Sequence, residues 1–380
     1  MGRMLEPASY GALAAVISLI GLLGLLSSSV GLVVTKIVAG AKDENEISAR
    51  ISVLNKHVWF FGLIFFLPLL AISGLIAEFM KIERILLILG LVVFLLSFPV
   101  NLARSTLQGL LRFKSMVISQ SLENIIRLCG AIVLVLAGFS IMGGILGMLF
   151  GVLFGWFAAW LYVKKFFQFS TEKNLDIKFA STLKSSIPFF VVSISMTSFY
   201  SSDLILVKHF FSSFDAGIYA AMSFLGRIIF FAVSPITAVI FPIAARNSSE
   251  GKNSSDILLC SLFAGAGISI VITGLYWLMP EVVVNMLYGD KYSSAGDILV
   301  LFGVFMTFVT LSFLLLNYEL ARGRHHSIFI SALAAVCQIV LIWLYHSSLL
   351  LVAVISTVTS LVLFIYLMLD VFYFEKGSKK

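Results

Sequence analysis

The stretch YGALAAVISLIGLLGLLSSSVGLVV, Tyr10–Val34, contains no acidic or basic residue. An apolar run of about 18 residues or more is long enough to cross a bilayer as an α-helix. Similar runs recur to the C-terminus, and the mean hydropathy is +1.07. Only 12% of the 380 residues are charged, whereas an average soluble domain has about 25%. The sequence therefore predicts an all-α, polytopic membrane helix bundle.

Eleven membrane-spanning helices are predicted from these runs. They are Tyr10–Val34, Val58–Phe79, Ile85–Leu102, Val117–Gly138, Ile141–Val163, Ile187–Val207, Gly217–Ala245, Ile257–Met279, Ile298–Leu316, Ile328–Tyr345 and Leu349–Leu369. Because the spans use most of the chain, no separate soluble domain is expected.

The Lys and Arg residues are distributed unevenly between the spans. Of the 26, nineteen lie in one set of alternating loops, five lie in the other set, and Arg127 and Arg227 lie inside spans. The positive-inside rule assigns the richer set, and the C-terminus, to the cytoplasm. With eleven spans the N-terminus is then expected outside. The net charge of +7 therefore indicates membrane orientation, and no nucleic-acid partner is predicted.

Two pairs of short segments indicate an internal repeat. Pro7–Val16 is similar to Ser213–Phe224 at the starts of the first and seventh spans. Leu107–Ser119 is similar to Asn317–Ser331 further along both halves. Two copies of a six-helix unit with parallel topology would be related by an axis along the membrane normal. The repeat therefore predicts two pseudo-symmetric lobes.

The repeat also predicts the domain organisation. Residues 1–165 form an N-terminal lobe of five spans, 166–186 a cytoplasmic linker, and 187–380 a C-terminal lobe of six spans. The first lobe is then one helix short. Either the start site is misassigned or the chain is a natural variant whose N-terminus lies outside.

The first candidate site pairs Arg127 with Glu123. Arg127 lies ten residues into its predicted span, which at 1.5 Å per residue is about 15 Å deep. A charge at that depth is costly and usually faces a bundle interior or an aqueous cavity. Glu123 lies four residues earlier, on the same helix face. The two residues either neutralise each other locally or serve substrate binding and ion coupling.

The second candidate site contains Arg227 and Asp203. Arg227 lies ten residues into the Gly217–Ala245 span, and it is either a deep charge or an interfacial residue at a misplaced span end. Asp203 lies near the outer end of the Ile187–Val207 span. It is a candidate proton or cation site, but it would equally pair with the nearby Lys208.

The remaining residues argue against catalysis. No histidine has zinc-ligand spacing, and the three cysteines lie inside apolar runs. The sequence contains neither a phosphate-binding Gly-rich loop nor a nucleophile elbow, and the glycines of Gly143–Trp156 indicate close helix packing. We therefore predict no enzyme activity, metal or cofactor. A membrane enzyme, such as a glycan polymerase or acyltransferase, is therefore the least favoured function for this chain.

Several segments, in order along nearly the whole chain, resemble a known family. The bacterial polysaccharide transporters include O-antigen and lipid-linked oligosaccharide flippases, within the multidrug/oligosaccharidyl-lipid/polysaccharide exporter superfamily. The similar segments are GRMLEPASYG (Gly2–Gly11), LQGLLRFKSM (Leu107–Met116), ENIIRLCGAIVLVLAGF (Glu123–Phe139), the IPFF beginning at Ile187, SDLILVKHFFSSFDAGIYAA (Ser202–Ala221) and MLYGDKYSSAGDIL (Met286–Leu299). The family has twelve helices, and the departure here is the absent first one.

The resemblance implies a multi-pass protein of the bacterial cytoplasmic membrane, working by alternating access. Its substrate would be an undecaprenyl-diphosphate-linked oligosaccharide, the repeat unit of O-antigen, capsule or exopolysaccharide. Arg127 and Arg227 would bind the diphosphate in a cavity, because guanidinium groups form charge-assisted, bidentate hydrogen bonds with it. Glu123 or Asp203 would couple transport to protons or sodium ions, and polysaccharide polymerase machinery would be a partner. The main alternative is a cation-coupled multidrug or small-molecule exporter of the same superfamily.

Overall fold

The computed structural model describes residues 2–41, 43–167, 179–250, 255–324 and 326–377. Within these ranges every regular element is helical, which confirms the predicted fold class. The helices are α1 (Pro7–Ala39), α2 (Glu44–Ala71), α3 (Ser73–Phe79), α4 (Arg84–Gly109), α5 (Phe113–Leu134), α6 (Ser140–Val163), α7 (Phe179–Phe210), α8 (Ser213–Ser249), α9 (Ser255–Leu278), α10 (Pro280–Leu287), α11 (Gly296–Ala321), α12 (His326–Leu344) and α13 (Leu349–Gly377).

Ten segments of the described chain are long and apolar enough to cross a membrane. One of them, Phe113–Phe167, contains two helices, because the chain turns between α5 and α6. Gly138 has φ +96° and Ser140 has φ +45°, a left-handed conformation that ends a right-handed helix. Counting α5 and α6 separately gives the eleven predicted spans.

Several helix ends differ from the predicted span ends. α2 begins at Glu44, well before the predicted Val58, because the side chain of Asp43 caps it by accepting from the backbone N–H of Glu46 at 2.8 Å. The second predicted span is also divided, since α2 ends at Ala71 and the short α3 follows. Hydropathy locates the apolar part of a helix and misses the polar turns that extend it.

The first compact unit comprises Arg3–Leu5 and Val16–Phe190. In it α4 packs against α2, α5 and α6. Its core contains large side chains that are almost completely buried: Val34, Leu54, Phe94, Phe98, Leu107 and Val163. Of the predicted linker 166–186, residues 168–178 lie outside the described residues.

The second compact unit comprises Gly2, Glu6–Ala15 and Val191–Lys380. In it α11 packs against α8, α9 and α13. The buried face of α11 includes Phe302, Phe305, Met306 and Leu315. The first turns of α1 belong to this unit, whereas the rest of α1 belongs to the first.

Large apolar side chains remain exposed on the outer helices of both units. Examples are Phe60 and Leu67 on α2, and Phe263 and Trp277 on α9, each more than half exposed. A soluble monomer rarely exposes so much apolar surface. Lipid covers such side chains in a membrane, and the helices satisfy their own backbone groups there. The chain is therefore a multi-pass membrane protein.

The two repeat-related segments contact each other at their glycines. Gly11 in α1 and Gly217 in α8 occupy the same offset in Pro7–Val16 and Ser213–Phe224. A Cβ atom on Gly11 would lie 2.7 Å from the backbone N of Gly217. A Cβ atom on Gly217 would lie 1.8 Å from the carbonyl oxygen of Pro7. The close approach of α1 and α8 in the second unit therefore requires glycine at both positions.

Gly217→Ala is expected to lower the free energy of unfolding by about 1–3 kcal/mol, the usual cost of overpacking. The new methyl group meets backbone atoms, which have no side-chain torsion that relieves the clash. Thermal unfolding of the purified protein in detergent measures the effect. Gly267→Ala is the matched control, because nothing lies within 4 Å of its Cβ position. Equal stability of the two variants would contradict the close contact.

Candidate functional site: charged residues within the spans

Arg227 lies in α8 between two aromatic rings. Its guanidinium carbon is 4.3 Å from the ring centroid of Phe224, one turn earlier in α8, and 4.8 Å from that of Tyr200 in α7. Its Nη2 also donates to the backbone carbonyl of Tyr200. The residue is only 7% exposed, so it lies inside the helix packing of the second unit. Cation–π attraction to the two rings stabilises the delocalised guanidinium charge at this buried position.

Asp203 lies in α7 one turn after Tyr200 and is completely buried. Its Oδ2 accepts a hydrogen bond from the hydroxyl of Tyr219 in α8 at 2.8 Å, and its Oδ1 accepts from the backbone N–H of Leu204 at 2.7 Å. Lys208, the alternative partner in the sequence, donates from Nζ to Ser213 Oγ at 2.8 Å. The tyrosine hydroxyl therefore fixes the orientation of the carboxylate.

Tyr219→Phe is expected to destabilise the protein by about 1.5–3 kcal/mol, the value of a hydrogen bond to a charged group. The change removes one oxygen and leaves the buried Asp203 carboxylate with fewer donors. Thermal unfolding in detergent, compared with Tyr200→Phe, measures it. Tyr200 contributes its ring and its backbone carbonyl to Arg227, and its hydroxyl donates to Thr197 Oγ1 at 3.3 Å. The control therefore removes a longer hydrogen bond between uncharged groups. If adding Asp203→Asn to Tyr219→Phe fully restored the stability, the loss would be shown to come from the charge of the buried Asp203 carboxylate.

A tyrosine cluster, formed by Tyr10, Tyr288 and Tyr292, lies beside Phe224 in the second unit. The hydroxyls of Tyr10 and Tyr288 are 3.0 Å apart, and the rings of Tyr10 and Phe224 meet edge to face at 6.1 Å. Burial raises the pKa of Tyr288 and the pKa of Tyr292. Both phenols therefore stay neutral at physiological pH, and they add no charge next to Arg227.

Glu123 in α5 is shared by two arginines in the first unit. Its Oε2 is 2.7 Å from Nη2 of Arg104, and its Oε1 pairs with Nη2 of Arg127 one turn later. The side chain of Glu123 is 10% exposed and that of Arg104 is 12% exposed, but that of Arg127 is 37% exposed. The local ion pair of Glu123 and Arg127 is thus present, and Arg127 still presents an accessible cation.

Glycines of α6 determine how closely this triad of charges is packed. A Cβ atom on Gly151 would lie 2.8 Å from the backbone oxygen of Glu123 and from Cβ of Arg127. One on Gly155 would lie 2.8 Å from Nη2 of Arg104 and from Cβ of Glu123. The Gly-rich run of α6 therefore brings this helix close to α5 and leaves room for the charged side chains.

Arg104 is the charged residue that the hydropathy pattern places in a loop. The predicted third span ends at Leu102, but α4 continues past Arg104. Arg104 consequently faces α5, where its Nε donates to Ser119 Oγ at 2.9 Å. A signal exists in the sequence, because Arg104 lies three residues after Asn101 and seven after Ser97. This spacing places the three polar residues on one face of a helix.

The structure thus forms two charged sites, each within one compact unit. Glu123 and Arg127 lie together in the first unit, where Arg104 joins them. Asp203 and Arg227 lie on the adjacent helices α7 and α8 of the second unit. Both sites combine a carboxylate with guanidinium groups inside membrane-spanning helices.

Solved structures that share this fold are membrane transporters. An inward-facing multidrug resistance transporter of the MATE family and MOP superfamily superposes with a TM-score of 0.80 at 12% identity, covering 99% of this chain and 94% of that one. The lipid II flippase MurJ, in an inward closed conformation, has a TM-score of 0.76 at 14% identity, with 97% and 82% covered. This chain therefore has the fold of the MOP superfamily transporters.

A third similar structure is a MOP superfamily transporter from Pyrococcus furiosus Vc1 (DSM3638), described as having a binding pocket of reverse polarity. Its TM-score is 0.62 at 14% identity, with 98% of this chain and 88% of that chain covered. A comparison of the sequence with curated proteins finds no match. The family is nevertheless clear, because the profile described as "Polysaccharide biosynthesis protein" matches residues 1–297. The chain belongs to this family, as its resemblance to polysaccharide transporters predicted.

Proposed function

We propose that this protein is a flippase for undecaprenyl-diphosphate-linked oligosaccharide. It would move the repeat unit of O-antigen, capsule or exopolysaccharide from the cytoplasmic to the outer leaflet by alternating access. Its place would be the bacterial cytoplasmic membrane, with the C-terminus in the cytoplasm and the polymerase machinery as a partner. Membership of a polysaccharide biosynthesis family and the fold shared with a lipid II flippase support this proposal.

One observation carries the choice of an anionic substrate. Of the four charged candidates within the spans, Asp203, Glu123 and Arg227 are at least nine-tenths buried, whereas the side chain of Arg127 is 37% exposed. The most accessible of these charges is therefore a cation. A guanidinium matches a diphosphate by charge and by its paired donors. An exporter of cationic drugs would instead require an accessible carboxylate.

The carboxylates fit a coupling role better than a substrate role. Glu123 contacts Arg127 directly, so a proton or sodium ion bound by Glu123 would weaken its hold on Arg127. An anionic diphosphate would then compete more effectively for the guanidinium. Asp203 is the corresponding candidate in the second unit, where Tyr219 holds it. In this mechanism ion binding and substrate binding are linked through shared charges.

The test is the membrane face on which the lipid-linked oligosaccharide appears. In a strain that lacks the gene, we expect the glycan to be trapped on the cytoplasmic face, and a plasmid copy should restore outward display. A membrane-impermeant lectin or periodate label applied to intact spheroplasts measures the outer fraction. Normal outward display without the gene and without a second flippase, together with a new sensitivity to cationic drugs, would favour the multidrug exporter instead.

A further inference from the structure

A polar cavity of about 290 Å³ lies inside the first unit, between α1, α4 and α5. The cavity, here called the hydroxyl pocket, has a polar lining of Ser27, Ser28, Ser97, Asn101, Arg104 and Glu123. Arg127 is not part of this lining. The volume is just below the range of about 300–1,000 Å³ for small-molecule sites.

The hydrogen bonds around Ser27 organise the pocket. Ser97 Oγ donates to Ser27 Oγ at 2.8 Å, and Asn101 Nδ2 donates to the same oxygen at 2.7 Å. Ser27 Oγ in turn donates to the backbone carbonyl of Gly24 at 3.0 Å. No described residue hydrogen-bonds Asn101 Oδ1, which is therefore an available acceptor. The three side chains form a pre-organised polar wall.

The charges of the hydroxyl pocket balance. Arg104 and Glu123 contribute one positive and one negative charge and contact each other at 2.7 Å. A free anion or cation thus gains little net attraction from the lining. A ligand with hydroxyl groups, which both donate and accept, matches the combination of carboxylate, guanidinium, amide and serine groups. Leu25, Val100 and Val152 add an apolar wall suited to the C–H face of a sugar ring.

Two glycines keep the pocket open. Gly21 and Gly24 of α1 both line it, and no heavy atom lies within 4 Å of the Cβ position of either. Packing therefore does not explain why these positions lack side chains. A leucine at Gly24 would extend into open space, and it would favour the helix because glycine is a poor helix former.

From these observations we infer that the hydroxyl pocket binds one neutral sugar residue. The inference rests on the proposed function only for the source of that sugar, which would be the glycan of the lipid-linked substrate. Arg127 outside the pocket would hold the diphosphate, so the two parts of one substrate would be recognised by separate groups of the first unit.

Saturation-transfer NMR of the full-length protein in nanodiscs measures sugar binding. The probes are the methyl glycosides of glucose, galactose, mannose and N-acetylglucosamine. We expect saturable binding of at least one, an affinity lower by about tenfold or more for Gly24→Leu and Asn101→Ala, and unchanged binding for Gly267→Leu. Gly267 is the matched control because its Cβ position is equally open, in the second unit. Absence of saturable binding by all four probes, or equal binding by Gly24→Leu, would overturn the inference.

Two further additions distinguish the sources of the ligand. Lipid-linked oligosaccharide should displace the bound glycoside, and inorganic phosphate should not. Displacement by phosphate would show an anion site and overturn the neutral-sugar assignment. A lack of displacement by the lipid-linked oligosaccharide would show a site for free sugar and overturn the link to the substrate. If glycoside binding persists but the translocation test fails, the proposed function is wrong and the sugar site stands.

Discussion

Arg227→Ala is expected to reduce translocation of lipid-linked oligosaccharide about ten- to hundredfold, at an unchanged amount of protein in the membrane. The estimate rests on the proposed function: Arg227, buried in this structure, would form a charge-assisted hydrogen bond to the diphosphate, worth about 1.5–3 kcal/mol, when alternating access opens the second unit around it. The residue is held between the rings of Phe224 and Tyr200, so its cation is already positioned before substrate binds. Pre-organisation of this kind strengthens the contribution of a single residue.

The conservative variant separates charge from geometry. Arg227→Lys keeps the charge but loses the planar group that stacks on the rings and donates in pairs. We expect intermediate translocation, between the wild type and Arg227→Ala. Arg246→Ala is the matched control, because Arg246 lies in the same helix, 79% of its side chain is exposed, and it pairs with Glu250. Wild-type translocation by both Arg227→Ala and Arg127→Ala would contradict the proposed role of the two arginines in diphosphate binding.

Glu123→Ala is expected to give the largest loss of stability, about 3–5 kcal/mol, because removal of one partner leaves buried charge unpaired. The substitution leaves Arg104 and Arg127 close together without the carboxylate that both now contact. Arg127→Ala is expected to cost less than about 1 kcal/mol, since its side chain is 37% exposed and Glu123 keeps Arg104. Unfolding in detergent, followed by tryptophan fluorescence, measures both.

A double substitution tests the cause of that loss. Glu123→Ala combined with Arg104→Ala removes the carboxylate and the more buried guanidinium together. We expect the double variant to be more stable than Glu123→Ala alone, which a double-mutant cycle expresses as a coupling energy. Strictly additive losses would show that the two side chains do not interact, contrary to their 2.7 Å contact.

Much of the fold is predictable because the bilayer imposes it. Helices that cross a membrane need long apolar runs, and these runs are local in sequence. The turn between α5 and α6 is also predicted, since one span ends at Gly138 and the next begins at Ile141. The division of the second predicted span into α2 and α3 is not predicted from hydropathy, because the run from Val58 to Ala71 is apolar throughout. Pro68, three residues before α2 ends, is the sequence signal for this break, because proline bends or ends helices.

The candidate sites are predictable only in part. Charged residues in apolar surroundings stand out, so Glu123, Arg127, Asp203 and Arg227 are all visible in the sequence. Their partners are less visible. Tyr219, which donates to Asp203, is an uncharged residue sixteen positions away, and nothing in the local sequence distinguishes it from other aromatic residues of α8.

Local patterns along the chain are enough to predict the membrane class and the eleven spans, because hydropathy acts over a few helical turns. The family is predicted by a different signal, the resemblance of short segments in order along the chain. Contacts between helices establish the rest. They decide that Arg104 shares Glu123 with Arg127. They also decide that Arg227 lies between two rings, and that two glycines of α1 open onto a polar cavity. These features depend on which faces of distant helices meet. Side-chain packing between helices determines those contacts, and the sequence of a single apolar run does not specify them.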